Sequence, residues 1–542
     1  MARDLRDLVA VVPDGALLTF SGFQLNRAPM AMVHELVRQG RRGLRIVGPP
    51  NPLPLDLLVA AGAVAGAEFG FLGFQFEDGF VVAPHVRRAI EAGTIEWRER
   101  DVYEIVQGLR AAALGLPYLP APGPETSDYP RANGSRLVAG PDGGAPVIAA
   151  LPVRPDFALV HAQEVDRAGN LVLSDPFGEE LQTAASGRVL ATAERLVDRI
   201  DRPTIPGDRV EKFAVVPGGA YPTSCHGHYP YSAAHLRVYL KAADARRADE
   251  YLGRFVRDCA DHAAFLRAAG GPGEWMPAPS ATAAGARPGR AAAGPGRADR
   301  LEIDPTRVDR IVVNVARAIT EGDTVVTGVA SALPMLAVAL ARATRVERLT
   351  YINCVGAINP VLDRAWPTSV DVRLLEGCEA RLSLPDLFDR ARRSPFDMMV
   401  FGAAQVDREG RANVTCIGDY ARPRVKLPGP AGSASMRPFV RRVVLVVPRH
   451  TPRTLVPRVD FATSVASPMN QETLVVTDIA VLHLVDGRLR LRSIHAGIPF
   501  DRVRDQTGFP VEWDGTITSD PTDEERRVLA LLDPGGIRHG MA

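Results

Sequence analysis

The chain has 542 residues, of which 46% are hydrophobic and 23% charged. This composition excludes wholesale disorder, because enough apolar material is available to build a core. At roughly 100–200 residues per domain, the length predicts more than one domain. Lys and Arg number 64 against 63 Asp and Glu. The balance argues against a nucleic-acid-binding protein, which normally carries a basic excess.

Cysteine use and apolar runs bear on the cellular compartment. The five cysteines are scattered and form no CxxC pair, so we expect neither a disulfide framework nor a zinc ribbon. Residues 1–7 carry charges where a signal peptide needs an apolar run. The most apolar stretch, residues 57–67, is shorter than the roughly 20 residues that span a bilayer. We therefore expect a cytoplasmic protein that does not interact with membranes.

A strand–loop–helix–strand pattern opens the chain. An apolar run at residues 16–20 is followed by Ser21-Gly22, by a helical stretch that begins near Pro29, and by a second apolar run from Leu44. Proline is tolerated in the first turn of a helix, where the N–H that it lacks would have no partner. The pattern predicts a βαβ unit, in which a helix joins two parallel strands.

A buried-strand pattern followed by Val-Asp-Arg-x-Gly comes later in the first half, at residues 157–169. Glycine permits the positive φ of a tight turn, and the aspartate can accept hydrogen bonds from the turn backbone. Taken alone, the motif predicts a shaped turn.

A compositional break divides the chain near its midpoint. Residues 268–299 are dominated by Ala, Gly, Pro and Arg and contain almost no large apolar side chains. Such a segment buries too little surface to offset the entropy lost on ordering it. We predict a linker at residues 268–302 between a first domain at 1–267 and a second at 303–542.

Both patterns recur after the predicted linker. A helical stretch begins near Pro334 and the next apolar run starts at Leu349, with the same spacing as between Pro29 and Leu44. A second Val-Asp-Arg-x-Gly motif lies at residues 406–410. Repeated self-similarity indicates duplicated architecture. We therefore predict an α/β fold of two related domains in tandem, each built on a mainly parallel sheet.

Further motifs rich in small residues lie at residues 93–120, 218–225, 402–408, 417–433 and 493–497. They resemble motifs of the class I CoA-transferases, especially the glutaconate CoA-transferase branch and its relatives, the ring-opening acyl-CoA hydrolases of steroid breakdown. The first half looks like an α subunit of that family and the second like a β subunit. The resemblance implies coenzyme A, bound as an acyl-CoA substrate, at a site between the halves. It also implies a homodimer, since separate α and β subunits commonly pair as heterotetramers.

One residue that the resemblance implies is replaced in this sequence. In the transferases a β-subunit glutamate, placed after the second strand of the βαβ unit, attacks the thioester as a nucleophile. This sequence has Ile352-Asn353-Cys354 there. An isoleucine cannot form an anhydride, and an asparagine is not a useful nucleophile. Transfer of CoA to a carboxylate acceptor would then need another carboxylate or direct exchange between substrates, and Cys354 is an alternative nucleophile.

Hydrolysis of the acyl-CoA, including cleavage of a C–C bond, is a second interpretation. In the relatives that lack the glutamate, an acidic residue of the α-type half activates water. Glu99 is the best match, with Glu96 and Asp101 as alternatives, and a carboxylate acting as base needs a pKa raised by burial. The candidate catalytic residues are therefore Glu99, Asn353 and Cys354. A third interpretation is a non-catalytic scaffold that binds CoA esters.

Two loops of small residues are the candidate CoA contacts. In the second half, Gly429, Gly432 and Ser433 would let backbone N–H groups approach a thioester oxygen, as in an oxyanion hole. The corresponding residues of the first half are Ser21, Gly22 and Phe23.

Two further groups of residues are weaker candidates for binding phosphate or metal. Arg422, Arg424 and Lys426 precede the second loop and could meet CoA phosphates. The run Cys225-His226-Gly227-His228 is too tightly spaced for a typical zinc site. We therefore expect no metal.

Overall fold

The computed structural model describes residues 2–140, 144–175, 177–274 and 305–541. The strands of the first half are β1 (Leu17–Phe20), β2 (Leu44–Gly48), β3 (Val64–Phe69), β4 (Gly73–Phe76), β5 (Gly79–Val82), β6 (Glu96–Glu99), β7 (Leu119–Ala121), β8 (Leu137–Val138), β9 (Val147–Ala150), β10 (Phe157–Asp166), β11 (Leu171–Val172), β12 (Arg188–Val197) and β13 (Lys212–Val215). Its helices are α1 (Leu5–Val9), α2 (Met30–Arg38), α3 (Pro52–Ala60), α4 (Pro84–Ala92), α5 (Val102–Ala113), α6 (Tyr129–Asn133), α7 (Glu179–Ala185), α8 (Ala233–Asp244), α9 (Ala248–Leu252) and α10 (His262–Ala269).

The second half has the same kind of alternation. Its strands are β14 (Thr324–Thr327), β15 (Thr350–Ile352), β16 (Ala357–Ile358), β17 (Ala380–Arg381), β18 (Phe396–Gly402), β19 (Gln405–Asp407), β20 (Ala412–Asn413), β21 (Cys416–Ile417), β22 (Val425–Lys426), β23 (Val440–Val447), β24 (Leu455–Val456), β25 (Glu472–Thr477), β26 (Ala480–Val485), β27 (Arg488–His495) and β28 (Ile517–Thr518). Its helices are α11 (Pro305–Ala318), α12 (Ala332–Thr344), α13 (Leu384–Arg393), α14 (Ser433–Met436), α15 (Phe500–Gln506) and α16 (Asp523–Leu532).

Each half is centred on a mainly parallel sheet. The first runs β13-β12-β10-β1-β2-β3-β6, with only β11 added antiparallel beside β10. The second runs β17-β16-β15-β14-β18-β23-β25-β26-β27-β28, with parallel pairs from β15 to β25. In the first sheet β1 lies between β2 and β10, and in the second β14 lies between β15 and β18. The predicted tandem α/β fold is confirmed.

The two Val-Asp-Arg-x-Gly motifs form equivalent turns. Asp166 Oδ1 accepts the N–H groups of the second and fourth residues after it at 2.9 and 3.0 Å. Asp407 Oδ1 does the same at 3.0 and 3.1 Å. Gly169 and Gly410 have φ of 86° and 70°, which glycine adopts without steric cost. The motif is a shaped turn in both halves, as predicted.

The two halves pack against each other. The apolar core of the second half continues through buried Phe23, Val102 and Phe177 of the first. Helix α10 includes residues 268–269 of the predicted linker, whereas residues 275–302 lie outside the described residues. The domain boundaries stay a prediction. Within the described ranges, no helix is long and apolar enough to cross a bilayer.

Candidate active site

A cavity of about 390 Å³ lies between the two halves. The first half contributes residues that follow β1, β2 and β3, together with the hairpin of β4 and β5. The second half contributes residues that follow β14, β15 and β18, and the loop at 427–433. Loops at the carboxyl ends of parallel strands are the usual position of a ligand site in an α/β sheet. The cavity is therefore the candidate active site.

The cavity wall is apolar and carries no formal charge. Five phenylalanines contribute to it, and none of its described lining residues is Asp, Glu, Lys, Arg or His. The polar side chains in the wall belong to Gln75, Thr327, Cys354 and Ser433. The Gln75 Oε1 and Ser433 Oγ atoms are buried and have no hydrogen-bond partner among the described residues. Both atoms are therefore unpaired polar groups within residues of the cavity wall.

Cys354 lies in the cavity wall directly after β15, with 8% of the residue exposed. Its Sγ is 3.8 Å from the carbonyl oxygen of Ser369 and 4.0 Å from Ser369 Oγ. Ser369 Oγ in turn donates to the Gly328 carbonyl oxygen at 3.1 Å. Burial raises the pKa of the Cys354 thiol to about 12, because a thiolate is poorly solvated there. The thiol is therefore neutral at physiological pH.

The neutral thiol predicts slow alkylation. Because the thiolate is the reactive form, we expect iodoacetamide to label Cys354 more slowly than half-buried Cys378 throughout pH 7–9. The labelling rate should still rise with pH at the upper end of that window. Peptide mass spectrometry after timed alkylation measures both sites in one sample. Labelling of Cys354 that levels off by pH 8 would contradict the raised pKa.

Ile352 and Asn353 are not part of the cavity wall. Both are fully buried, and Ile352 belongs to β15. Asn353 Oδ1 accepts the N–H of Ala357 at 3.1 Å, and the Asn353 N–H donates to the Ala357 carbonyl oxygen at 3.1 Å. Asn353 thus closes the turn that follows β15. This turn places the next residue, Cys354, at the cavity.

Glu99, the candidate base, lies at the end of β6 and is not part of the cavity wall. Its side chain is fully buried and forms an ion pair with Lys426 of the second half. Tyr129 donates its hydroxyl to Glu99 Oε2 at 2.7 Å. Burial raises the pKa of Glu99, and the Lys426 ammonium opposes that rise. This carboxylate has partners on both oxygens.

The two alternative acids also have other partners. Glu96 is exposed and pairs with Arg45. Asp101 caps helix α5 by accepting the Tyr103 N–H at 2.9 Å, and it accepts the Ser435 N–H at 3.0 Å. Asp101 therefore connects the two halves. Neither acid lies in the cavity wall.

Lys426 positions the loop that covers Glu99. Its ammonium group donates to the carbonyl oxygens of Thr415 at 3.0 Å and Leu427 at 2.7 Å. Two residues further on, a Cβ added to Gly429 would lie 2.7 Å from Glu99 Oε1. The loop therefore separates the ion pair from the cavity. Lys426 is fully buried, whereas Arg422 and Arg424 are exposed. The contact of these three residues with CoA phosphates stays a prediction.

The close approach of Gly429 to Glu99 predicts that Gly429→Ala destabilises the fold by more than the cost of a positive φ alone. Gly429 has φ of 105°, and Gly497 has φ of 77° with nothing within 4 Å of an added Cβ. Both alanine variants pay the cost of a left-handed conformation, but only the first collides with Glu99. We expect Gly429→Ala to lower the free energy of unfolding by about 1–3 kcal/mol more than Gly497→Ala. Urea unfolding measures the difference, and equal losses would contradict the contact.

The two predicted CoA-binding loops differ in whether their backbone N–H groups are already hydrogen-bonded within the protein. In the first half, the N–H groups of Ser21, Gly22 and Phe23 all donate to protein oxygens, and of these residues only Phe23 lines the cavity. In the second, Gly429 and Ser433 also donate internally, and both line the cavity. The Gly432 N–H has no partner among the described residues.

A third loop, which the sequence did not single out for binding, lines the cavity after β14. It comprises Gly328, Val329 and Ala330, whose N–H groups donate to no other described residue. Ala330 and Ala431 have φ of 56° and 49°, and non-glycine residues with positive φ concentrate at functional sites. The cavity thus has a strained backbone segment on two sides.

A separate buried cluster could hold a metal ion by composition. His161, Glu194 and Cys225 place ligand atoms within 4.8 Å of one another. In the structure His161 Nε2 hydrogen-bonds Glu194 at 2.7 Å, and Tyr229 donates to the same carboxylate at 2.5 Å. The nearby buried Arg27 guanidinium donates to the His161 carbonyl oxygen at 2.7 Å and is itself paired with the carboxylates of Asp175 and Glu179. The expectation of no metal stays a prediction.

Comparison with known proteins finds a matching family model, related sequences and similar solved structures. A family model described as Coenzyme A transferase matches residues 3–209 and 390–506. One of the two subunits of 3-oxoadipate CoA-transferase from Pseudomonas knackmussii is 29% identical over 264 residues, covering 47% of this chain and 92% of that protein. A chain of the decarboxylase AibA/AibB is 42% identical, covering 46% of this chain and 96% of that one, with a TM-score of 0.45. The acyl-CoA transferase YdiF from Escherichia coli is 15% identical and covers 99% of this chain and 97% of its own, with a TM-score of 0.70.

Proposed function

The chain belongs to the Coenzyme A transferase family, and from that premise we propose that it removes a carboxyl group as CO₂ from the acyl chain of an acyl-CoA thioester. The reaction includes no covalent bond between enzyme and substrate. One observation carries the proposal: an apolar, uncharged cavity between the halves, with a neutral thiol in its wall.

CoA transfer through a glutamyl intermediate needs a carboxylate that reaches the thioester. None of the described lining residues supplies one. Hydrolysis needs a base within hydrogen-bond reach of water at the substrate. Glu99 lies behind Gly429 and is ion-paired with Lys426, which speaks against that role. Both reactions remain outcomes of the experiment below.

Decarboxylation is a reaction that a neutral apolar cavity favours. A substrate carboxylate loses its hydration shell there, and its negative charge spreads over more atoms as CO₂ departs. The free energy of the barrier falls because the delocalised anion needs less solvation than the carboxylate. The substrate class is therefore an acyl-CoA with a free carboxylate β to the thioester carbonyl, either directly or through a conjugated double bond.

Groups that line the cavity can accept the electron pair and supply the proton that the proposed step requires. The bond between the carbon chain and the carboxylate breaks, and its electron pair enters the conjugated system as a thioester enolate. Backbone N–H groups of Gly328, Val329 and Ala330 are free to stabilise the enolate oxygen. The Cys354 thiol donates its proton to carbon and regains one from water. The products are CO₂ and an acyl-CoA shortened by one carbon.

The test identifies products by mass spectrometry in deuterium oxide. The substrates are CoA monothioesters of dicarboxylic acids that carry the free carboxylate on the α-carbon of the thioester, on the γ-carbon of an α,β-unsaturated thioester, or further along a saturated chain. Each is tested with and without added acetate. The proposal predicts a shortened acyl-CoA that carries one deuterium. It should form only from the substrates with the carboxylate on the α-carbon, or on the γ-carbon of an α,β-unsaturated thioester, and its formation should not depend on acetate. Free CoA without loss of carbon would support hydrolysis and contradict it, and acetyl-CoA formed from acetate would support transfer.

A further inference from the structure

The C-terminal segment supplies one residue of the cavity wall. Met541 lines the cavity and packs against the same apolar core as Val326 and Phe401. Helix α16 ends at Leu532, so the segment that brings Met541 to the cavity is a short tail. The tail contains a single 3₁₀ turn, Ile537–Gly540.

This tail is held in place by a defined anchor. Arg538 is 8% exposed, and its Nε donates to Asp309 Oδ1 of helix α11 at 2.6 Å. A second guanidinium nitrogen donates to Asp533 Oδ2 at 2.9 Å. The two oxygens of Asp533 also accept the N–H groups of Ile537 and Arg538, at 2.9 and 3.0 Å. A buried arginine paired with two carboxylates fixes position more firmly than an exposed pair.

Met541 lines the cavity and is half-buried, so its side chain is part of the wall and is also partly exposed. A methionine side chain is long, unbranched and polarizable, and it adapts to the shape of an apolar neighbour. Most of the wall comes from the strands, helices and loops of the two sheets, whereas Met541 reaches it from a short segment that follows helix α16. The size of the side chain at position 541 therefore contributes to the shape of the cavity on this side.

We propose that Met541 is a specificity-determining residue that limits the length of the acyl chain, and that Arg538 is a positioning residue that holds Met541 in the wall. The inference rests on the proposed function only in that acyl-CoA binds in this cavity. It adds that the substrates are short acyl chains and that the tail selects them.

The test uses S-alkyl-CoA thioethers of increasing chain length as unreactive probes, with affinity measured by calorimetry. One methylene in an apolar pocket changes affinity by about tenfold or more. We expect Met541→Ala to improve binding of the longer probes relative to the shortest by at least about tenfold, and Met541→Trp to shift the preference the other way. Met469→Ala, at a methionine that is 42% exposed, is the matched control and should not change the length profile.

Arg538→Ala should shift the length profile in the same direction as Met541→Ala, and Arg538→Lys should partly restore it. Arg526→Ala, at an arginine whose side chain is 53% exposed, controls for loss of a surface charge. An unchanged profile in Met541→Ala, with probe binding intact, would overturn the inference and leave the proposed function standing. Absence of probe binding by the unaltered chain would overturn both. Length-selective binding without CO₂ release from any substrate would overturn the proposed function alone.

Discussion

Replacing Lys426 by Met is expected to lower the free energy of unfolding by about 3–5 kcal/mol. Lys426 and Glu99 both have fully buried side chains and pair across the two halves. Removing the ammonium leaves the Glu99 carboxylate buried with hydrogen bonds but no opposite charge. It also removes the two hydrogen bonds that hold the carbonyl oxygens of Thr415 and Leu427. Urea unfolding monitored by circular dichroism measures the loss.

The matched control is Arg492→Met. Arg492 pairs with Glu472 at 2.9 Å, but the side chains are 48% and 39% exposed, so we expect a loss below about 1 kcal/mol. A second replacement, Glu99→Leu, in the Lys426→Met background should recover part of the stability, because neither member of the buried ion pair then remains. If Lys426→Met and Arg492→Met cost the same, the buried pair does not hold the halves together as described.

Cys354→Ala is expected to lower the rate of CO₂ release by about 100- to 10,000-fold, the usual contribution of a positioned proton donor. Cys354 is the one residue of the described cavity wall that carries a thiol, and burial raises its pKa to about 12. The thiol can therefore donate its proton to a strongly basic carbanion without being ionised beforehand. Binding of an S-alkyl-CoA probe should be nearly unchanged, because the alanine keeps the wall apolar.

Cys354→Ser and Cys378→Ala are the controls for this prediction. The serine hydroxyl keeps a proton donor at the same position, so we expect intermediate activity and deuterium still delivered to the product. Cys378 lies outside the cavity wall, and its replacement should leave the rate unchanged. Full activity in Cys354→Ala would show that another group, or water itself, delivers the proton.

The architecture was predictable from the sequence because it depends on local patterns. The spacing from Pro29 to Leu44 recurs from Pro334 to Leu349, and each stretch forms a helix between two parallel strands. The Asp-containing turns were predictable for the same reason, since the residues that make their hydrogen bonds lie within four positions of each other. These predictions needed no knowledge of how the halves pack.

The electrostatics of the site were not predictable in this way. Glu99 reads as part of a charged run, yet its partner Lys426 is 327 positions away, and no local pattern connects them. The loop after β14 has a Thr-Gly pair like many turns, and only packing shows that its residues line a cavity and that its N–H groups donate to no other described residue. Met541 gives no signal at all, because a single methionine near a terminus is unremarkable in sequence.

Removal of CO₂ in a neutral cavity, without a covalent intermediate, is tested most directly by one measurement. The chain is mixed with a conjugated dicarboxylyl-CoA labelled with ¹³C in its free carboxylate. Labelled CO₂, total thioester and the intact mass of the protein are followed during turnover. We predict one labelled CO₂ for each substrate consumed, constant total thioester and an unchanged protein mass. Loss of thioester without labelled CO₂, or a protein mass increased by CoA or by the acyl group, would contradict this mechanism.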